Sequence, residues 1–277
     1  MNILAIVGSP HEEGLTDGLV NAAITGALSA GGTVNKVHAS DYDWGPCLDC
    51  EGKTCWSDLS CRHSPLPGEI NEALAGCEGL IIAAPVYFLD VNGLTRNLLD
   101  RLRPGPEVNG IPALGIAMAG GTGKGFVLAA QKIYHFLFCI SARPLPMLPA
   151  TRFNYQRALE QAEQLGHALA TTPKRPFASL AERMAEYHAL PLMDLDLVGE
   201  NLLLVETILA AAQQTEENRD LRCSAEADYQ AARAAFATGD IPGPRNCWKR
   251  PTTPPSGRGI SLARRRKALS RAPTPSA

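Results

Sequence analysis

The 277-residue chain has little that would place it in a membrane or a secretory route. Its longest apolar stretch in the C-terminal third, residues 202–212, is interrupted by Glu206 and falls far short of the ~20 apolar residues that a bilayer-spanning helix needs. The opening MNILAIVG has no basic leader, and its apolar run is too short for a signal-peptide core before it meets Gly8-Ser9-Pro10. These residues read as a strand of a cytoplasmic protein. A cytoplasmic setting disfavours structural disulfides, so clustered cysteines there point to metal binding or redox chemistry. Two phosphate-binding fingerprints are also missing. The loop after Val7 is neither G-x-G-x-x-G nor G-x-x-x-x-G-K-[ST], and Lys124 is followed by Gly125 rather than by Ser or Thr. No histidine stands as an evident catalytic base: His38, His135 and His167 fall in predicted regular elements, leaving His11 beside the first loop and His63 beside the cysteines.

Acid is absent from the last 33 residues. Residues 245–277 hold nine Lys or Arg and no Asp or Glu, so the first 244 residues carry 17 basic against 28 acidic side chains, a net of −11 inside a formal total of −2. This tail is rich in Pro, Ser, Thr and Gly and cannot bury enough apolar surface to offset its ordering entropy, which predicts disorder over 241–277. A basic arm can grip an anionic partner, but no aromatic platform or nucleic-acid motif accompanies it, which favours a solvated tail over nucleic-acid recognition.

What is present is a regular alternation. A 45% hydrophobic content is enough for one good core with appendages. Strands are predicted over 3–7, 33–38, 80–85, 113–119 and 139–146, and helices over 16–29, 67–75, 93–102, 124–138 and 157–170. The strand runs are continuously apolar rather than alternating, as in strands covered on both faces. Five strands alternating with helices give a doubly wound parallel sheet in an α/β domain over 1–172. Amphipathic segments over 180–190, 195–214 and 225–238 form a helical extension spanning 173–240, suited to docking on the core or to an oligomer interface.

Ligands of such sheets bind beyond the carboxyl ends of the strands, which draws attention to three loops. In the first, Gly8 to Thr16, glycines permit a tight turn into a helix start whose free amides favour phosphate, with Ser9 and Thr16 as added hydroxyl donors. The competing reading is an ordinary strand-to-helix turn, and Glu12, Glu13 and Asp17 would repel a dianion unless they turn away. The second, Ala84-Pro85-Val86-Tyr87-Phe88, places an aromatic pair after a central strand, either to flank a flat ring or to pack over the strand end. The third, Gly120-Gly121-Thr122-Gly123, is nearly bare main chain, fit for close ligand approach or for a plain turn.

Four of the eight cysteines lie in residues 47–61, as Cys47, Cys50, Cys55 and Cys61 with C-x2-C-x4-C-x5-C spacing. Three readings stand: ligation of an iron-sulfur cluster, tetrahedral zinc, or free and redox-active thiols. Cys77 and Cys139 read as buried core thiols.

Gly-Ser-Pro after strand 1, Ala-Pro-Val-Tyr-Phe with the following Gly-Leu-Thr-Arg-Asn-Leu-Leu-Asp-Arg, and the glycine run after strand 4 together resemble the NADPH-dependent FMN reductase branch of flavodoxin-like proteins over about residues 1–150. The resemblance implies FMN, with its phosphate at Ser9, Pro10 and Thr16, its ring and ribityl chain at Pro85, Val86, Tyr87 and Phe88, and the ring's polar edge at Gly120, Gly121, Thr122 and Gly123. Iron-sulfur flavoproteins of that branch hold a [4Fe-4S] cluster on a compact cysteine motif between strand 2 and the next helix, which implies the same role for the cysteine loop here. The spacing in this chain is wider than the C-x2-C-x2-C usual in that branch.

The expected function is an FMN-dependent oxidoreductase or electron-transfer flavoprotein with a cytoplasmic location, drawing on NAD(P)H or a reduced ferredoxin and assembling as a homo-oligomer. The alternative is a non-enzymatic, zinc-stabilised α/β module whose basic tail recruits an anionic partner.

Overall fold

The computed structural model describes residues 1–43, 45–50, 55, 68–212 and 219–239. Cys61, His63 and the basic tail over 241–277 lie outside the described residues. Among the described residues seven strands form one sheet: β1 (Asn2–Val7), β2 (Thr33–His38), β3 (Gly79–Tyr87), β4 (Asp90–Val91), β5 (Pro112–Ala119), β6 (Arg143–Pro144) and β7 (Leu148–Thr151). Its order is β2-β1-β3-β5-β6, with β7 continuing along β5 and β4 folded back antiparallel on β3. The other pairings are parallel. This is the flavodoxin-like doubly wound order.

Eight α-helices accompany the sheet among the described residues: α1 (Leu15–Ser29), α2 (Gly68–Gly76), α3 (Gly93–Arg101), α4 (Phe126–Cys139), α5 (Tyr155–Thr171), α6 (Leu180–His188), α7 (Leu197–Ala211) and α8 (Arg219–Thr238). The strand side chains alternate between two apolar layers, as the pleat requires. Ile3, Ala5 and Val7 of β1 and Leu114 and Ile116 of β5 face α1 and α5 through Leu19, Ala23, Ala158 and Leu169. Leu4 and Ile6 of β1 and Leu80 and Ile82 of β3 face α2, α3 and α4 through Leu74, Leu98, Ile133 and Leu137. α1 and α5 touch at Gly26 and Gly166, where a Cβ would stand 1.8 Å from Glu163 O and 1.9 Å from Ala23 O.

The fifth predicted strand differs from expectation. The chain stays helical through Cys139, and the strand position is filled by two short pieces, β6 and β7, divided around Pro146. Pro144, Pro146 and Pro149 each lack a ladder donor, which breaks a continuous edge strand. Among the described residues the strands therefore number seven rather than five, one more from this division and one more from the two-residue β4. Cys139, ending α4 instead of opening a strand, is exposed rather than a core thiol, whereas Cys77 is buried as expected.

The chain divides into a compact unit over Met1–Arg233 and a second over Ala234–Ala277. In the first, β6 anchors the helical extension. Arg143, 6% exposed, bonds Glu182 Oε1 at 3.1 Å and Glu186 on α6, donates from Nε to Arg175 O at 3.0 Å, and lies 4.0 Å from the ring centre of Phe177. Tyr187 of α6 donates its hydroxyl to Ala142 O at 2.8 Å and meets Phe138 edge-on. Of the second unit, the described part is residues 234–239, the closing turns of α8 and the glycine after it. Among the described residues no helix is long and apolar enough to cross a membrane.

Candidate functional site

The strand order reverses between β1 and β3, and the crevice beyond the carboxyl ends of such a pair is where open α/β sheets bind ligands. The three candidate loops follow β1, β3 and β5, and they are joined to one another there. Gly8 donates its N–H to Ala83 O at 2.7 Å, while its carbonyl accepts from Asn92 Nδ2 at 2.9 Å and Thr95 Oγ1 at 3.1 Å. Asn92 is the N-cap of α3, its Oδ1 accepting from Thr95 N at 3.2 Å and from the Thr95 hydroxyl at 2.5 Å. A Cβ on Gly8 would stand 1.9 Å from Thr95 Oγ1, so this approach of main chain to side chain admits only glycine.

Within the first loop Ser9 is buried, and its hydroxyl shapes the turn by donating to His11 O and accepting from His11 N, both at 3.1 Å. Pro10, His11, Glu12 and Glu13 are exposed. α1 starts from Gly14, which has no side chain to cap it, so the first-turn amides are aimed outward without a side-chain acceptor of their own cap. Thr16 is buried in that turn. Asp17, whose charge would oppose an anion, is turned toward β2: its carboxylate pairs with Lys36 Nζ at 2.5 Å, lies 3.5 Å from His38 Nε2 and accepts from Asn21 at 3.1 Å.

The second loop is a two-residue hairpin between β3 and β4, with Tyr87 opposite Asp90. Its turn residues, Phe88 and Leu89, have φ of +50° and +69°. Such primed turns match strand twist but are normally made by Asn-Gly or Gly-Gly. Pro85 and Val86 are half-buried, while Tyr87 is 47% exposed and Phe88 fully so. The reading in which both aromatics pack over the strand end does not hold in this structure.

In the third loop a Cβ on Gly120 or Gly121 would meet nothing within 4 Å, and Gly121 and Thr122 are exposed, so main chain lies open there. Gly123 is buried against Leu204. Gly125 takes φ of +89° as the N-cap of α4, and a Cβ on it would lie 2.5 Å from Leu89 Cα, so the glycine loop and the hairpin are in contact. The structure thus brings the residues of all three loops to one edge of the sheet.

The cysteine loop is placed less fully. Cys47 is exposed and Cys50 and Cys55 are half-buried; Cys47 and Cys50 are free thiols, and no group of three metal-ligating side chains is assembled among the described residues.

Asn92, Thr95, Gly125 and Glu200 are structural members of the site that sequence reading passed over. Asn92 before Gly93 carries the ordinary signal of a helix N-cap. Glu200 carries none, because its partners lie 72 to 75 residues away.

The sequence profile of NADPH-dependent FMN reductases matches residues 1–152, more than half of the chain. An iron-sulfur flavoprotein of Methanocaldococcus jannaschii is 30% identical over 128 residues, 44% of this chain and 65% of that protein. One of Archaeoglobus fulgidus is 28% identical over 127 residues, 45% of this chain and 57% of that protein. The matched region therefore spans less than two thirds of the length of either relative. Among solved structures, the apo form of an NADH:FMN oxidoreductase superposes with a TM-score of 0.48 at 21% identity, over 70% of this chain and 99% of that one. With the sheet order, the three joined loops and the profile match in agreement, the chain belongs to the NADPH-dependent FMN reductase family.

Proposed function

We propose that the three loops bind FMN and that the chain is an FMN-dependent oxidoreductase oxidising NAD(P)H or a reduced ferredoxin. The observation that carries this reading is the junction of the loops at the switch point, through Gly8 with Asn92 and Thr95 and through Gly125 with Leu89. In this reading the first-turn amides of α1, with Ser9, Pro10 and Thr16, hold the phosphate. Asp17 does not oppose it, since its charge is matched by Lys36. Pro85, Val86, Tyr87 and Phe88 line the ring and ribityl chain, and the open main chain of Gly120, Gly121, Thr122 and Gly123 meets the ring's polar edge. Bound FMN supplies the hydride-accepting centre and can also release electrons singly, so the protein's part is binding, orientation and electrostatics. No protein acid or base is required for that step.

The cysteine loop as a [4Fe-4S] site is a separate part of the proposal, supported by its cysteine density and by the names of the two relatives. Assembly with further copies of the chain is supported by exposed apolar residues on the helical extension, among them Leu180, Met184 and Leu197, and is read by light scattering. The zinc-module alternative has no comparable support.

Anaerobic purification with a visible spectrum and assays for FMN, iron, acid-labile sulfide and zinc tests the whole reading. Flavin with iron and sulfide is the expected result; flavin alone removes the cluster, and zinc without flavin removes the enzyme. The double variant Cys47→Ser with Cys50→Ser is expected to lose iron and keep FMN.

A further inference from the structure

We propose that Glu200, on α7 of the helical extension, is a positioning residue that fixes the glycine loop by holding the start of α4 from outside. Its carboxylate is 0% exposed. Oε1 accepts from Gly125 N at 2.7 Å, and Oε2 accepts from Val127 N at 3.0 Å and Leu128 N at 2.9 Å. The α4 N-cap is Gly125, which has no side chain for the task, so three donors that a helix start leaves orphaned are satisfied from a remote element. A carboxylate suits them doubly: it accepts only, and its charge lies at the positive end of the helix dipole.

The clamp is two-sided. Leu204, one turn beyond Glu200 on the same face of α7, is 4% exposed, and its Cδ1 lies 2.8 Å from where a Cβ on Gly123 would be. From the other side, Gln131 of α4 donates its amide to Leu192 O and Leu195 O, both at 2.7 Å, anchoring the segment that leads into α7. Ala119, Phe126, Val127 and Leu204 form a small apolar cluster of their own beneath these bonds. The glycine loop therefore runs between two fixed ends, Ala119 on β5 and the clamped start of α4, although its own residues have almost no side chains to hold it. A nearly bare loop would otherwise be costly to order on ligand binding.

The inference deepens the flavin reading and rests on it for its consequence, that preordering this loop strengthens FMN binding. Glu200→Gln removes the charge and turns an amino group toward backbone N–H donors, so the clamp loosens without loss of side-chain volume. Hydrogen exchange is measured on the full-length apo chain, and FMN affinity by fluorescence quenching on the same samples. Tyr187→Phe, which removes a hydrogen bond remote from the loop, serves as the stability control. For Glu200→Gln, amides of residues 120–123 are expected to exchange about tenfold faster. FMN binding is expected to weaken by about tenfold, equivalent to ~1.4 kcal/mol, with neither change in the control. Should Glu200→Gln not fold, Glu200→Asp, which withdraws the carboxylate by one methylene, is read the same way. Unchanged exchange over 120–123 overturns the positioning role and reduces Glu200 to a helix cap. Faster exchange with unchanged FMN affinity overturns its consequence for the site. A wild type that binds no FMN overturns the functional reading instead, while the exchange comparison still decides the clamp.

Discussion

Phe88 and Leu89 hold left-handed backbone at the tip of the β3–β4 hairpin, a conformation that costs non-glycine residues roughly 1–2 kcal/mol each. Leu89 is 36% exposed, so little packing is lost on removing its side chain. Leu89→Gly is expected to raise stability in urea by about 1 kcal/mol; a decrease would mean that the side chain makes a contact worth more than the relieved strain. The cysteines divide as sharply. Burial pushes the Cys77 thiol up from 9.0 to about 11, and its Sγ lies 3.2 Å from Leu74 O, whereas Cys139 and Cys223 are exposed. The folded chain keeps the Cys77 proton where the unfolded chain releases it. The contribution is therefore complete below about pH 9 and declines as pH climbs toward 11. Cys77→Ala should flatten that alkaline decline in urea-unfolding curves taken between these limits. A disulfide-exchange reagent should label Cys139 and Cys223 in the native state and Cys77 only on unfolding.

The secondary elements show what a single chain reveals of itself. β1, β3 and β5 were legible because their runs are uninterrupted apolar residues with turn chemistry at each end, and α1, α3 and α5 because their apolar spacing is helical. The three loops followed from those elements, since a parallel sheet puts its carboxyl ends on one edge. The fifth strand was legible only in part: prolines divide it, and β6, paired with β5, also carries Arg143 to α6 through a contact separated by 39 to 43 residues. The same distance in sequence hid Glu200. Arg143 is the place to test the docking of the extension. Its side chain is 7% exposed while Glu182 and Glu186 are about one third exposed. Arg143→Ala is accordingly expected to cost roughly 2–3 kcal/mol, less than the 3–5 of a wholly buried pair, because solvent screens the carboxylates left behind. A loss below 0.5 kcal/mol in calorimetry would show that α6 is held by Tyr187 and its apolar neighbours instead.

At the scale of the molecule, a rigid sheet presents three loops, and the helical extension braces the one that is least able to hold itself. In the proposed reading the loops' main-chain amides meet the phosphorylated ring within a body of acidic balance. A ligand that binds the folded state alone stabilises it by mass action, by ~2.7 kcal/mol at a concentration 100 times its dissociation constant. The direct measurement is a titration of the full-length apo chain with FMN, followed by anaerobic addition of NADPH and of NADH while the visible spectrum is recorded. One FMN bound per chain at micromolar concentrations or below is expected, with a higher melting temperature in the presence of FMN and bleaching of the flavin band by a reduced nicotinamide. A folded chain that leaves micromolar FMN free in solution, with an unchanged melting temperature, would contradict the flavin reading.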